Sequence, residues 1–558
     1  MKLYKEILRI KEVYFKKNIF FIKYAFSFLI SLLAVGTTRD FGYSFISIIE
    51  LVIIFCFTNF LLSFNKLIGQ IINSILILFF NIQLIVLNFG SSYVTLTMVE
   101  NISSWKALGG RAYIYIVAIL LLILFSFLPV NKVELINYSK YKSAKIKFRL
   151  ISCFRNLYLT AFFIICELIL IQTVPIRFSP SFSTYELLQS KIEMERVKVE
   201  TKTKSKNLKH EFYQDGVKDF IKKPSNLGER PNVILIFTEG LSQHIIDDSR
   251  NITPTIKEYQ SKSITFNNYY NHTFATYRGI QSQLFSGYQI ENNSRNYLIS
   301  LPQMFKKQGY NTAFINTEPK NSEFSDYLLD LGFDKIYNSK LQNGQSISFD
   351  KEAYEELFTK IENYSKNESP YFISMYTFGT HVGMNGFSEK FGDGNDRVLN
   401  RFFEMDQQFK SFIERFNSSP ISNNTILVFT TDHATYVDDE YKKAFPNEIR
   451  NHVSLDKVPL IIYYKGVVPQ VVDVNGKNSL NMAPTILDLL DYSSENYFLG
   501  TSLFSGNNEN NFLSTVYSEG TVLKSTINNK ISELSNGNLK TVKQKVFNYF
   551  KVSQNKND

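Results

Sequence analysis

Cysteine is nearly missing from this 558-residue chain: the three that occur, Cys56, Cys153 and Cys166, all lie in its first third. No disulfide can therefore brace anything after residue 166, even in a compartment that would permit one. Histidine is scarce too, six residues in all, so imidazole chemistry rests on few candidates. No internal repeat is present and few charges interrupt the apolar runs, which argues against a transporter. No small-residue cleavage site follows the first apolar run, so that run reads as a retained anchor rather than a cleaved signal peptide.

Apolar runs dominate what is there, but only up to about Pro175. Five membrane spans are expected, over Ile19–Val35, Phe45–Phe64, Ile68–Leu87, Tyr113–Val130 and Leu157–Val174. Each is about 17–20 residues, close to what ~30 Å of hydrocarbon requires. Lys23 near the start of the first is expected to snorkel to the interface. Glu167 in the fifth is an intramembrane carboxylate, either functional or simply facing neighbouring helices.

Basic residues set the orientation. Lys2, Lys5, Arg9, Lys11, Lys16 and Lys17 precede the first span, and Lys132, Lys140, Lys142, Lys145, Lys147, Arg149 and Arg155 cluster around the fourth connection. The first and third connections hold only Arg39, and Lys106 with Arg111. The two rich segments belong on the cytoplasmic side, which places everything after Pro175 outside a bacterial cell membrane. Much of the formal charge of +10 comes from these segments and is explained by topology and lipid headgroups, so nucleic acid is not an expected partner. Residues 1–175 thus read as a five-span membrane domain, 176–230 as a polar connector and 231–558 as an extracellular catalytic domain. Lys198, Lys202, Lys204, Lys206 and Lys209 in the connector either rest on anionic headgroups or coat a solvated helix.

From about Pro231 short apolar strands alternate with amphipathic helices, predicting a mostly parallel sheet covered on both faces. Strands are expected at Val233–Phe237, Thr312–Ile315, Tyr371–Tyr376, Ile426–Phe429 and Pro459–Tyr463. Helices are expected at Ile280–Phe285, Leu301–Gln308, Ser325–Leu331, Lys351–Tyr364, Arg397–Phe416 and Ala483–Leu490. In such a sheet the ligand site lies beyond the carboxyl ends of the strands.

Three of those ends carry hard ligands or imidazoles. PNVILIFTEG places Glu239 after the first strand, SMYTFGTHVG places His381 after another, and TILVFTTDHA ends on Asp432 and His433. Two carboxylates and an imidazole suit one divalent ion, Mn first, with Mg or Zn as alternatives. Thr276, in NHTFATYRGIQSQLFSG at a helix start, would be the nucleophile and a fourth ligand; its plain structural role would be a helix N-cap. Arg278 is a candidate bidentate grip on phosphate, with a salt bridge as its alternative, and Gly279 would permit close backbone approach. His381 is the candidate to donate to a phosphate oxygen or protonate a leaving group, and His452 is a looser substrate-side candidate. His244 and His272 are lesser ones, and His210 lies in the connector. The set points to phosphoryl transfer.

PNVILIFTEG, TYRGI, TTDHA, VPLIIYYKG, APTILDLLD and FLGTSLF, in this order, resemble the sulfatase-like members of the alkaline phosphatase superfamily. The multi-span anchor resembles the lipoteichoic acid synthase and phosphoglycerol transferase branch, a layout shared by phosphoethanolamine transferases. The resemblance implies metal ligation by Glu239, Thr276, Asp432 and His433, a Thr276 nucleophile, and His381 on the substrate side. It implies transfer of phosphoglycerol from phosphatidylglycerol to a cell-surface glycan or glycolipid. Phosphoethanolamine transfer is the alternative enzyme reading, and a catalytically dead, membrane-anchored binding protein is the alternative of another class. The C-x-P-x-R pattern of sulfate-ester hydrolases is absent. Two departures stand out: Ala434 occupies a position often held by Gly after the Asp-His pair, and the surroundings of His452 match loosely.

Overall fold

A computed structural model describes residues 21–556 except 37, 39–40, 91, 101–111, 134–144, 174–178, 201–205, 293, 343–346, 348, 367–368, 385–386, 449, 451–454, 506–514 and 519–521. The basic amino-terminal stretch, Arg39, Lys106, Arg111, most of the fourth connection, Lys202, Lys204 and His452 lie outside the described residues. The chain divides into two compact units.

In the amino-terminal unit three described helices are long and apolar enough to cross a membrane: Phe41–Phe64, Lys66–Phe89 and Cys153–Leu170. Two shorter apolar helices, Phe21–Gly36 and Ile116–Ser126, fall where the first and fourth spans were expected. Three qualifying helices do not by themselves make five spans. Lys23 departs from expectation: it is fully buried, and its Nζ donates to the Leu128 carbonyl at 3.1 Å. A buried ammonium needs such acceptors, and here the carbonyl comes from the turn that follows the helix ending at Ser126. Glu167 is also buried, beside the Glu50 carboxylate, which accepts from the Ser181 N–H at 3.0 and 3.1 Å.

The carboxyl-terminal unit is built on an eight-stranded sheet of order β4-β3-β5-β1-β6-β7-β2-β8. The strands are β1 (Asn232–Thr238), β2 (Ile264–Asn267), β3 (Asn311–Asn316), β4 (Lys335–Asn338), β5 (Tyr371–Tyr376), β6 (Thr425–Thr431), β7 (Leu460–Tyr463) and β8 (Gln470–Asp473). The pairs β3–β4, β3–β5, β5–β1, β1–β6 and β2–β8 are parallel; β7 runs antiparallel to both β6 and β2. Val233 to Phe237 and Ile426 to Phe429 are essentially inaccessible. That is why these central strands read as unbroken apolar runs instead of alternating ones.

Three helices matter for the site, and we number them α1 (Thr276–Phe285), α2 (Asp350–Lys366) and α3 (Arg397–Ser418). The helices at Leu301–Lys307, Ser322–Asp330 and Met482–Leu489 likewise fall where the sequence places them. Beyond them a three-stranded antiparallel sheet and the helix Asn536–Ser553 complete the unit. Tyr549 of that last helix donates to the Phe285 carbonyl at 3.4 Å, closing over the end of α1.

Candidate metal and nucleophile site

Because β3, β5, β1 and β6 are parallel neighbours, their carboxyl ends open on one edge. Glu239 follows β1, and Asp432 and His433 follow β6. One ligand-capable atom from each lies within 4.8 Å of the others, and all three residues are buried. His433 Nε2 stands 3.4 Å from Glu239 Oε1 and 3.4 Å from Asp432 Oδ2.

The backbone around β6 explains how Asp432 is aimed. Its Oδ1 accepts the Gly240 N–H at 2.9 Å and the His433 N–H at 2.7 Å, while the Thr431 hydroxyl donates to the Thr238 carbonyl. Both strand ends are thereby locked to each other. Asp432 Oδ2 is left buried with no hydrogen-bond donor. His433 Nδ1 donates to the Ala434 carbonyl at 2.7 Å, which can only accept, so Nε2 is the ring nitrogen that faces the two carboxylates.

Crowding two acids and an imidazole into one buried place perturbs all three. Burial alone would raise the Glu239 carboxyl, but His433, His381 and the Tyr376 and Thr276 hydroxyls together hold it below its usual value. Burial pushes Asp432 up to about 7, and the Glu239 charge adds to that rise against the pull of His433. Burial works against a charged His433, yet Asp432 and Glu239 raise its imidazole above the ordinary value. A divalent ion bound among these groups would favour their deprotonated forms, so its binding would be coupled to proton release. An orphan carboxylate oxygen, an imidazole nitrogen and a second carboxylate form a donor set that fits such an ion.

Thr276 is the first residue of α1, and its hydroxyl donates to Glu239 Oε2 at 3.3 Å. It is not the N-cap: Ala275 holds that position, with φ 80° and ψ 141°, a conformation nearly reserved for glycine. The strained residue turns the chain so that the hydroxyl meets the carboxylate instead of the helix backbone. The amino end of the helix dipole gives that hydroxyl a positive surrounding.

The remaining expected residues divide. His381 follows β5, stacks on Phe378 (4.6 Å, 11°), donates Nδ1–H to the Val382 carbonyl at 2.9 Å, and lies close enough to Glu239 to lower its pKa. Arg278 departs from expectation: it is 1 % exposed, and its guanidinium donates to the Ile290 carbonyl at 3.4 Å inside the fold. A residue two places after Thr276 points away from the face that Thr276 occupies on a helix. His272 is a core residue, bonded to Ser479 and pushed down to about 3 by burial and by Arg278. His244 bridges Asp456 at 3.1 Å and Tyr441 at 2.7 Å.

Sequence reasoning passed over several residues that the fold brings here. The Tyr376 hydroxyl donates to Glu239 Oε2, and the Thr380 hydroxyl donates to the Glu239 carbonyl. Glu318, beyond the end of β3, is pushed up to about 7 by burial and by the Glu239 charge. Phe274 packs on His433 at 4.4 Å. Tyr376 ends a strand read as core, and nothing in its local pattern marks a tyrosine whose hydroxyl reaches the neighbouring strand.

Residues 231–492 match the sulfatase family model. Over 320 residues the chain is 23% identical to the lipoteichoic acid synthase-like YvgJ of Bacillus subtilis, covering 50% of this chain and 51% of that protein. It is 22% identical over 344 residues to phosphoglycerol transferase I of Escherichia fergusonii, covering 52% of this chain and 42% of that protein. The chain thus spans about half the length of the curated relatives it matches. A crystal structure of the lipoteichoic acid synthase LtaP from Listeria monocytogenes superposes with a TM-score of 0.47 at 17% identity, covering 62% of this chain and 96% of that one. The family match begins at the first residues of the sulfatase domain's β1 and takes in Glu239, Thr276, His381, Asp432 and His433.

Proposed function

We propose that this chain is a membrane-anchored, divalent-metal-dependent transferase that moves phosphoglycerol from phosphatidylglycerol to a hydroxyl of a cell-surface glycan or glycolipid. One observation carries the reading: the Thr276 hydroxyl, at the start of α1, is hydrogen-bonded to a carboxylate of a buried two-acid, one-imidazole cluster. Glu239, Asp432, His433 and the Thr276 oxygen would hold the ion, with Mn first and Mg or Zn as alternatives. The ion would supply Lewis-acid stabilisation of negative charge and lower the pKa of the hydroxyl.

The chain's own residues do the rest. Thr276 Oγ1 attacks the phosphodiester phosphorus and gives up its proton to solvent, while the bond from phosphorus to the diacylglycerol oxygen breaks and that oxygen leaves as an alcohol after taking a proton. His381, with Nδ1–H held by the Val382 carbonyl, gives the Nε2 proton to the departing oxygen and later takes one from the incoming hydroxyl at the same nitrogen, which restores it. In the second half the acceptor oxygen displaces Thr276. Five spans with a cytoplasmic amino terminus, two of them formed around the shorter apolar helices, would set the domain beside its lipid in the outer leaflet.

The test is mass spectrometry of the purified full chain after incubation with defined phospholipids. A Thr276 adduct of roughly 154 Da, the mass of a transferred phosphoglycerol group, is expected. An adduct of roughly 123 Da would instead assign phosphoethanolamine. No adduct with either lipid, in metal-loaded protein, would overturn the covalent transferase reading.

A further inference from the structure

Asp350 is the first residue of α2, is fully buried, and lies far from the cluster in sequence. Both of its carboxylate oxygens are committed to one place. Oδ1 accepts the Phe378 N–H at 2.7 Å and Oδ2 accepts the Gly379 N–H at 2.9 Å. The fit leaves no slack: a Cβ on Gly379 would lie 2.5 Å from Oδ2.

The clasped peptides open the turn that carries His381. The Thr377 N–H still belongs to the sheet, donating to the Phe237 carbonyl at 2.9 Å. Beyond it the chain leaves β5. The Phe378 carbonyl accepts the His381 N–H at 3.0 Å, and the Phe378 ring is the surface on which the imidazole stacks. Between them the Thr380 hydroxyl reaches the Glu239 carbonyl. The carboxylate therefore fixes the residue that orients the imidazole, in a turn also tied to the end of β1.

We propose that Asp350 is a positioning residue for the transfer reaction, acting through the Phe378–His381 turn. A surface loop would satisfy those two N–H groups with water at little cost. Burying a carboxylate to do so is costly, and the return is a turn whose geometry is set from beneath. Asp350 touches none of the reacting groups, and its effect passes through His381. The inference rests on the reading that His381 acts at the transferring phosphoryl group.

The experiment is a double-mutant cycle on the full chain in detergent, loaded with Mn, using Asp350→Asn and His381→Ala and measuring diacylglycerol release from phosphatidylglycerol. Asparagine keeps the shape but turns an NH2 group toward one of the two N–H donors. Asp350→Asn should lower kcat about 10- to 100-fold, the scale of a small misplacement of a catalytic group, with KM for the lipid and metal content unchanged. In the His381→Ala background the same substitution should change kcat by less than about two-fold, because coupled residues are not additive. Gly379→Ala approaches the contact from the other side and should reproduce both results if Asp350→Asn does not fold. Full additivity, or a wild-type kcat in either single variant at 350 or 379, overturns the positioning role. A wild-type kcat in His381→Ala alone has a different signature: it removes the proposed role of His381, and this inference with it.

Discussion

Gly279 in α1 packs directly against the backbone of Asp432: a Cβ on this glycine would sit 2.3 Å from the Asp432 carbonyl oxygen and 2.9 Å from its carbonyl carbon. The helix of the proposed nucleophile and the strand end with two of the proposed ligands are thus in bare backbone contact, and no side chain fits between them. Gly279→Ala should therefore act as a wedge. We expect a loss of about 1–3 kcal/mol in stability, the usual cost of overpacking, and a fall in kcat larger than that loss accounts for. Chemical unfolding and diacylglycerol release, measured on the same preparation, check it. Wild-type values of both would mean that the helix can retreat without consequence.

Thr276→Ala separates nucleophile from scaffold. The hydroxyl's hydrogen bond goes to Glu239 and not to the helix backbone, so its removal should cost only about 0.5–1.5 kcal/mol of stability. The covalent adduct and diacylglycerol release should both disappear. Release at a wild-type rate would show that water or the acceptor attacks the lipid directly.

Asp432→Ala should abolish metal retention, measured by elemental analysis after gel filtration, because it removes both a charge and a buried oxygen that accepts no hydrogen bond. Exhaustive chelation of the wild-type protein should give the same inactive state, and added Mn should reverse it. Full turnover in protein shown to be metal-free would sink the metal-site reading.

Asp350 also makes a prediction about pH. Burial raises its carboxyl from 3.8 to about 7, with Glu404 and Glu239 adding to the rise against the Phe378 and Gly379 N–H groups. The folded state therefore holds a proton between about pH 4 and 7 that the unfolded chain has released. Stability from this group is full below about pH 4 and is lost as pH climbs toward 7, by an amount on the order of 4 kcal/mol at most. Asp350→Asn removes the titration. Its unfolding free energy should fall less than that of the wild type between pH 4.5 and 7.5, and parallel profiles would show that the carboxyl titrates normally.

Topology can be read with reporters active only outside the cell. A fusion after Ser225 should be active and one after Lys142 silent, as the distribution of basic residues requires. The opposite pair of results would reverse the orientation proposed for the sulfatase domain.

The central strands were legible because they are buried on both faces and short, and β1, β5 and β6 announce themselves as apolar runs. The three clustered residues were legible for a related reason: an acid or imidazole that ends such a run is conspicuous. Edge strands were not. β4 and β8 are largely exposed and mixed in composition, so nothing in their sequence separates them from loops. The direction of a side chain on α1 was equally hidden. Thr276 and Arg278 are neighbours in sequence, yet helical geometry sends one to the cluster and the other into the core beside Ile290. Asp350 escaped notice because its partners are backbone N–H groups 28 and 29 residues away, a relation that leaves no local pattern.

The strand order has a consequence for how the protein comes into being. β1 lies between β5 and β6, and the β1–β6 register pairs Asn232 with Thr425, 193 residues further along the chain. Synthesis delivers Glu239 and Thr276 first, His381 later, and Asp432 with His433 last. Until the ribosome has passed Thr431, β1 has no partner on one side, and two of the three cluster residues do not exist. Synthesis of the residues in between takes about ten seconds or more, and during that time, on the proposed mechanism, Thr276 is still an ordinary alcohol. Reactivity toward lipid would switch on only when the centre of the sheet closes, and a product truncated ahead of β6 would be inert rather than half active.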